Sequence, residues 1–520
     1  MKFSFLKNAL AILLCLFVFH SLSFAAETPK GKASHIVIIV WDGLRPDMVT
    51  AKNTPTLYKF SQEGTFFTHH HAVYPSTTEV NGTALATGMY PEHSGIIGNR
   101  EFRPLIAPNE PSGMEKLSTI RKGESVMQGN YLKALTLYEI LQAKGIPTVV
   151  AGTKSVALLA DRNAKPSEGS YIVYEGSAFP AEILPKLNTK FGVFSPTPTY
   201  PDKEQNTWTT RVLLEELWKN DVPKLSLLWL SDPDYSQHHS QPGSVEALAA
   251  LKANDDLLGK LLATLDAKGI REKTDILLVS DHGFSTTEQV VDFSTLLIDA
   301  GFKARRKFLA KPTAGDILVV SNGASTFFYV TDRNKETTHK LVDFLQHCKC
   351  SGVILSKEVF PGTFTLKTAL LDTPDAPDVI VSMPWNDRAN ASGVKGLLYS
   401  DSGTPRDPGY GTHGSLSRYD MHNTLIAAGP DFRKSFKDEL PSGNTDLAPT
   451  VLWILGIDAP KKMDGRVLTE ALINSHSSTL HSEEKTLEAN GKNLPWHQYL
   501  KTSTVGSTLY FDEGNGGQTK

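Results

Sequence analysis

Three stretches of the chain are apolar at nearly every position, and each runs into an aspartate: IVIIVW ends at Asp42, LSLLWLSDP reaches Asp234, and ILLVS ends at Asp281. Apolar residues without alternation are the pattern of strands covered on both faces, as in the mostly parallel sheet of an α/β protein. Between such runs the spacing becomes helical. Leu132 to Lys144 carries Leu137, Ile140 and Leu141 on one face, stops at Gly145, and after Pro147 gives way to a strand near Thr148 to Ala151. Ser244 is placed to cap a helix bearing Leu248, Leu251, Leu258, Leu262 and Leu265, closed by Gly269 and followed by a strand over Ile276 to Val279. This helix-then-strand rhythm predicts helices layered on a sheet, with two of the aspartate motifs on strand ends either side of one helix.

The stretches 95–130 and 157–205, rich in Gly, Pro, Ser and Asn, fit that rhythm poorly, and 285–405 mixes short strands such as Thr326 to Val330 and Asp378 to Ser382 with loops. Long irregular insertions in a compact enzyme are commonly binding loops, so these are expected to cover the site, the third as a lid. The expected organisation is a leader over 1–25, a main domain over 26–470 carrying the insertions, and a polar C-terminal extension over 471–520 with a closing strand near Ser507 to Asp512. No internal repeat is visible.

Composition narrows the class. A chain of 520 residues, 40% hydrophobic and 21% charged, can bury one sizeable core without dividing into several domains. Lys2 and Lys7, an apolar run from about Ala9 to Phe19, and Ser23-Phe24-Ala25 read as a secretory signal cleaved after Ala25. The run is short for a bilayer span, so the expectation is an exported protein, periplasmic or secreted, with no transmembrane anchor. Cleavage takes the formal charge from −3 to about −5, which leaves no electrostatic footprint for nucleic acid or an anionic membrane. Only Cys348 and Cys350 would remain, too few for a disulfide framework; a local disulfide and two idle thiols are both open.

In an open α/β sheet, ligands bind at the carboxyl ends of the strands, so Asp42, Asp234 and Asp281 can converge. Each has imidazoles for company: His238 four residues after Asp234, His282 beside Asp281, and His413 in a later Gly-Thr-His-Gly loop. Six oxygen and nitrogen ligands without thiolate suit zinc or a similar divalent ion, and six exceed what one catalytic zinc takes, so two ions are expected. Thr78 supplies a hydroxyl at a loop-to-helix junction within Pro75 to Gly88, where free N–H groups and the helix dipole favour an anion. Metal coordination would lower the pKa of that hydroxyl and make it a usable nucleophile.

The order Asp42, Thr78, Asp234-x-x-x-His238, Asp281-His282 and Gly-x-His413-Gly resembles the nucleotide pyrophosphatase/phosphodiesterase branch of the alkaline phosphatase superfamily. The resemblance spans roughly 36–470 and ends with Asp446-Leu-Ala-Pro-Thr-Val-Leu and Met463-Asp-Gly-Arg466. It implies an α/β three-layer sandwich around a mixed, mostly parallel sheet, with two zinc ions. One ion would take Asp234, His238 and His413; the other Asp42, Thr78, Asp281 and His282; and Asn81 would hydrogen-bond the transferred phosphoryl group. Family members read Thr-Phe-Pro-Asn where this chain reads Thr78-Glu79-Val80-Asn81, which keeps the spacing and alters the wall beside the leaving group.

Taken singly, these residues have plainer readings. An aspartate at a strand end is often a cap or turn former, and Thr78 alone would be an N-cap, with Thr77 its rival as nucleophile. In His69-His70-His71 alternate side chains of a strand point to opposite faces, so the three cannot share one ion and read as rim. His239 is expected to point away from His238, and His422 to be packed beneath the site. Lys154 is either a solvated lysine or a phosphate contact. The combined reading is a two-zinc hydrolase that forms a phospho-threonine, acting on a phosphate ester or nucleotide as a phosphodiesterase or nucleotide pyrophosphatase. A phosphomonoesterase or phosphonate hydrolase is the alternative, suggested by Lys154 and the Thr78-Glu79 wall. No Cys- or Ser-x-Pro-x-Arg segment supports a sulfatase, and a non-catalytic metal-binding protein would be expected to have lost a ligand or the nucleophile, whereas none is missing.

Overall fold

A computed structural model describes residues 30–404, 407–473, 480–492 and 494–519, so the leader and its cleavage site at Ala25 lie outside the described residues. The apolar run that opens the sequence forms β1 (His35–Trp41). Ile36, Ile38 and Val40 pack into one hydrophobic core and Val37, Ile39 and Trp41 into another, each of the six 3% exposed or less. That two-sided burial is why the run does not alternate, and it contributes about 1.5–3 kcal/mol per large side chain.

Eight further strands complete the central sheet: β2 (Thr65–Phe67), β3 (Thr148–Gly152), β4 (Tyr171–Tyr174), β5 (Ser177–Phe179), β6 (Leu225–Leu230), β7 (Thr274–Val279), β8 (Leu425–Ala428) and β9 (Phe436–Asp438). Their order is β9-β2-β8-β7-β1-β6-β3-β4-β5. The five central strands β7, β1, β6, β3 and β4 are parallel, while β8 runs antiparallel to both β7 and β2, and β5 antiparallel to β4. One face is covered by α1 (Thr78–Thr87), α2 (Leu137–Ala143) and α5 (Leu447–Leu455), the other chiefly by the long helix α4 (Val245–Ala267). The three-layer α/β sandwich is as expected. Ser244 caps α4 by accepting from Ala247 N at 3.0 Å, and a reciprocal Thr136–Glu139 capping box starts α2 five residues later than the Leu132 of the apolar pattern.

The irregular stretches hold more structure than their composition suggests. Within 157–205 lie β4 and β5, an edge of the central sheet whose strands are too short, at four and three residues, for a pattern to be read. The segment 285–405 carries a second, six-stranded sheet with the helix Lys335–His347 against it. The tail is a three-stranded antiparallel sheet of β10 (Ser482–Asn490), β11 (Trp496–Val505) and β12 (Thr508–Gln518) rather than a single closing strand. β10 is exposed along most of its length, so it has no apolar alternation to read. Tyr510 Oη donates to Asp446 Oδ2 at 2.8 Å and Trp385 Nε1 to Gly514 O at 2.8 Å, which seats this sheet on the core. Cys348 and Cys350 form a local disulfide.

Candidate active site

The register of the central strands places the acidic residues. Val40 of β1 faces Val279 of β7, so Asp42 and Asp281, two residues further on each strand, end level with one another. On the other flank Trp41 pairs with Leu230 of β6, and the chain beyond β6 turns back so that Asp234 N donates to Asp42 O at 3.0 Å. Gly43 adopts φ +73°, and a Cβ there would lie 2.9 Å from the Phe284 ring. This conformation lets Gly43 N donate to Asp281 Oδ1 at 3.1 Å.

Asp234 opens the single-turn helix α3 (Asp234–His238), whose i, i+4 spacing puts His238 on the same face, with Nε2 3.2 Å from Asp234 Oδ1. His413 brings its Nε2 to 3.3 Å from the same oxygen. On the other side, His282 Nε2 lies 3.2 Å from Asp281 Oδ2, 3.6 Å from Asp42 Oδ1 and 3.2 Å from Thr78 Oγ1. All six ligand candidates and Thr78 are therefore gathered at one end of the sheet. Thr78 is the first residue of α1 and Thr77 its N-cap, with no side-chain cap bond; it is the Thr78 hydroxyl that faces His282.

The histidines share one arrangement. His238 Nδ1 faces Gly411 O at 2.9 Å, His282 Nδ1 faces Gly283 O at 2.9 Å, and His413 Nδ1 faces Ser76 O at 2.8 Å. A carbonyl only accepts, so each Nδ1 carries a proton, and each ring in its neutral form presents an Nε2 lone pair toward the carboxylates. Asp42 Oδ1, Asp234 Oδ1 and Asp281 Oδ2 are buried without a hydrogen-bond partner. Lone pairs aimed at lone pairs in a buried site call for cations between them, so this donor set fits divalent metal ions. The electrostatics agree. Burial first, then Asp281, pushes the Asp42 carboxyl well above its ordinary range, and burial pushes Asp281 up to about 7. Asp234 also feels burial, yet Lys154 and His238 hold it well below the usual carboxylate value.

Lys154 is the surprise among the expected residues. It is not a solvated lysine: its side chain is 11% exposed, and Nζ donates to Asp42 Oδ2 at 2.9 Å and Asp234 Oδ2 at 2.8 Å. It thus ties the two halves of the site together and leaves Oδ1 of each aspartate for another cation.

Asn81 requires correction. It is fully buried, donates through Nδ2 to the carbonyls of Val73, Pro75 and Thr77, and accepts through Oδ1 from Val73 N and from Asn444. Committed on both ends, it braces the loop that leads into α1 and has no reach toward a phosphoryl group. Asn99 takes the position beside the nucleophile: its Oδ1 accepts from Glu79 N at 3.0 Å, and it lines an open cleft of about 590 Å3 together with Thr77, Glu79, His238 and His413. Nothing local in Gly98-Asn99-Arg100 marked it. The cleft walls come from two inserted stretches, 95–130 and 285–405, including Arg100, Glu115, Lys116 and Asn322. Glu79 is 6% exposed, and burial, then Glu115, pushes its carboxyl well up. A larger cavity, about 790 Å3, between Met89 and Met463 contains none of these residues. His239 stacks on Tyr200, away from the ligands, as expected. His70 and His71 take different partners, but both are buried, so only His69 lies at the rim expected of all three.

Known proteins resemble this chain in sequence and in fold. The family model for type I phosphodiesterase / nucleotide pyrophosphatase matches residues 36–404. A bis(5'-adenosyl)-triphosphatase, enpp4, of Xenopus laevis is 21% identical over 441 residues, covering 83% of this chain and 79% of that protein. Ectonucleotide pyrophosphatase/phosphodiesterase family member 1 of Mus musculus is 26% identical over 246 residues, 47% of this chain and 22% of its own length. Among solved structures, murine ectonucleotide pyrophosphatase/phosphodiesterase 5 superposes with a TM-score of 0.59 at 17% identity, over 84% of this chain and all of that one. An inactive threonine-to-alanine variant of that mouse protein, in complex with AMP, gives 0.57 at 18% identity. The fold is the alkaline phosphatase-like sandwich.

Proposed function

The chain belongs to the type I phosphodiesterase / nucleotide pyrophosphatase family, and from that premise we propose that it is an exported, two-zinc phosphodiesterase or nucleotide pyrophosphatase working through a phosphorylated Thr78. That it is a hydrolase of phosphoric esters follows from the family itself. One ion would be held by Asp234, His238 and His413, the other by Asp42, Thr78, Asp281 and His282. When bound, such ions lower the pKa of the oxygens they hold and offset charge on the phosphoryl group.

The observation that carries this reading is Thr78 Oγ1 at 3.2 Å from His282 Nε2, on the first residue of a ten-residue helix whose dipole favours negative charge there. Thr78 Oγ1 forms the bond to phosphorus as the ester oxygen leaves; water then displaces the threonine in a second step. Asn99 is the residue we place against a non-bridging oxygen, in the role that Asn81 cannot fill. An ammonium has three donors, two of Lys154's go to Asp42 and Asp234, and the third is assigned to the phosphoryl group. The inserted walls then select the leaving group, and the mixed lining of Arg100 and Lys116 against Glu79 and Glu115 suits a substrate with both anionic and donor groups, such as a nucleotide. The named activity of the frog relative and the AMP complex of the mouse protein support that choice. Lys154 also supports a second reading, a phosphomonoesterase or phosphonate hydrolase, because a buried cation favours a dianion. No helix among the described residues is long and apolar enough to cross a membrane; export rests on the leader sequence.

The test is turnover of p-nitrophenyl phosphate, bis(p-nitrophenyl) phosphate and a dinucleoside polyphosphate. Chelation should abolish all three activities and zinc should restore them, with the diester and the dinucleotide ahead of the monoester. Full activity in metal-free protein would overturn the metal assignment, and a dominant monoesterase would transfer the conclusion to the second reading.

A further inference from the structure

Outside the catalytic cleft, a second group of metal-capable side chains comes together from three distant parts of the chain. His71 and His422 face each other across an isolated antiparallel bridge, so their side chains share a face, with ring centroids 4.6 Å apart. Asp512, on β12 of the C-terminal sheet, approaches them with Oδ1 3.0 Å from His71 Nε2. One ligand atom from each of the three lies within 4.8 Å of the others.

The decisive detail is the orientation of His71. Its Nδ1 faces Ser442 O at 2.9 Å, so Nδ1 carries a proton and the neutral ring presents its Nε2 lone pair, the arrangement shared with His238, His282 and His413. His71 is 2% exposed, and its Nε2 is buried, makes no well-formed hydrogen bond and lies 3.0 Å from Asp512 Oδ1. Two ligands of one ion, each about 2.0–2.2 Å from it and subtending about 90–110°, lie about 3.0–3.4 Å apart. The catalytic pairs measure 3.2 Å for His238 with Asp234, 3.3 Å for His413 with Asp234 and 3.2 Å for His282 with Asp281, and His71 with Asp512 repeats that spacing at 3.0 Å.

We infer that His71, His422 and Asp512 form a separate binding site for a first-row divalent cation such as zinc, which fastens the C-terminal sheet to the catalytic core. Two imidazoles and a carboxylate are the donor set such ions take. Ser503 Oγ donates to both oxygens of Asp512, at 3.0 and 2.8 Å, which holds the carboxylate toward the rings. The Asp512 side chain is 22% exposed, which gives the ion and a completing water a way in. The competing account is a protonated His71 paired with Asp512 at 3.0 Å; it assigns no part to His422.

The experiment counts ions. Wild type, Asp512→Asn and His422→Gln are stripped with a chelator, dialysed against zinc chloride and free buffer, and their zinc measured by inductively coupled plasma mass spectrometry. Each variant should hold one equivalent per chain fewer than wild type, whatever the number in the catalytic cleft, whose ligands are untouched. Equal zinc in wild type and both variants overturns the inference in favour of the ion pair. Should the variants fail to fold, wild-type crystals grown with zinc decide: an anomalous peak at the zinc edge bounded by His71 Nε2, His422 and Asp512 is expected, and its absence overturns the site.

Discussion

Lys154→Ala is the substitution that separates substrate classes. The Lys154 ammonium is held between Asp42 Oδ2 and Asp234 Oδ2, at 2.9 and 2.8 Å, in a site that is otherwise rich in carboxylate. Burial pushes its pKa down, but Asp234 and Asp42 hold it well above the ordinary lysine value, so it is charged at any assay pH. A monoester dianion carries about one more unit of negative charge than a diester. Spread over the non-bridging oxygens, one in hydrogen-bond contact and the others about 5 Å away, at an effective dielectric of about 40 beside an open cleft, that charge interacts with the ammonium by about 2 kcal/mol. Lys154→Ala should therefore lower kcat/KM for p-nitrophenyl phosphate about 10–100-fold more than for bis(p-nitrophenyl) phosphate. The assay runs at saturating zinc, with bound zinc measured in parallel so that a lost ion is not mistaken for a lost contact. Without metal the same substitution leaves two buried carboxylates uncompensated and should cost about 3–5 kcal/mol of stability, a loss that zinc largely reverses. Equal loss for both esters, with zinc retained, would refute the phosphoryl contact and leave Lys154 as a brace for Asp42 and Asp234 only.

Thr78→Ala should keep the fold and lose turnover by about 10^3-fold or more, whereas Thr77→Ala, whose hydroxyl makes no cap bond, should change it less than about 10-fold; the reverse ranking would shift the nucleophile by one residue. Asn99→Ala should lower kcat/KM about 10–100-fold and cost about 1 kcal/mol of stability through the lost bond to Glu79 N, while Asn81→Ala, which strips five buried hydrogen bonds from its loop, should destabilise by about 2–4 kcal/mol. Burial pushes the Asp202 carboxyl up to about 7, so the folded state holds that proton more tightly than the unfolded chain does. Its contribution to stability is present below about pH 4 and is lost as pH rises through about 7. Asp202→Asn should thus raise the Tm at pH 8 relative to wild type and not at pH 4; a shift independent of pH would contradict the assignment.

What the sequence made legible was whatever depends on neighbours along the chain. A strand covered on both faces must be apolar throughout, so β1, β6 and β7 announce themselves, and register alone then brings Asp42 beside Asp281. The i, i+4 pair Asp234 and His238 is likewise local. Asn81 misled because a spacing of three residues from Thr78 does not say which way a side chain points: on α1 it turns inward, to Val73 and Asn444. Asn99 lies twenty-one positions beyond Thr78 in an irregular stretch, and only the fold returns it to the nucleophile. His422 was expected to be merely packed, and His71 to lie in a rim; their partner Asp512 belongs to a sheet whose exposed first strand carries no readable pattern.

The division between strand ends and insertions also bears on how the site is tuned. Asp42 and Asp281 stand at the ends of strands in the middle of the sheet and Asp234 in the turn just beyond β6, where packing on both faces fixes their spacing to within the tolerance a metal site needs. Arg100, Lys116 and Asn322 stand instead on stretches inserted between core elements. The first group sets what is done at phosphorus, and altering any member of it disturbs charge balance among buried carboxylates. The second group lines the cleft in which we place the rest of the substrate and can change without moving a ligand. A fold organised this way keeps its chemistry while its leaving-group preference drifts. That is the relation expected among relatives 21% identical along most of their length, and it is why we place substrate choice in the walls at 95–130 and 285–405 rather than in the proposed metal ligands.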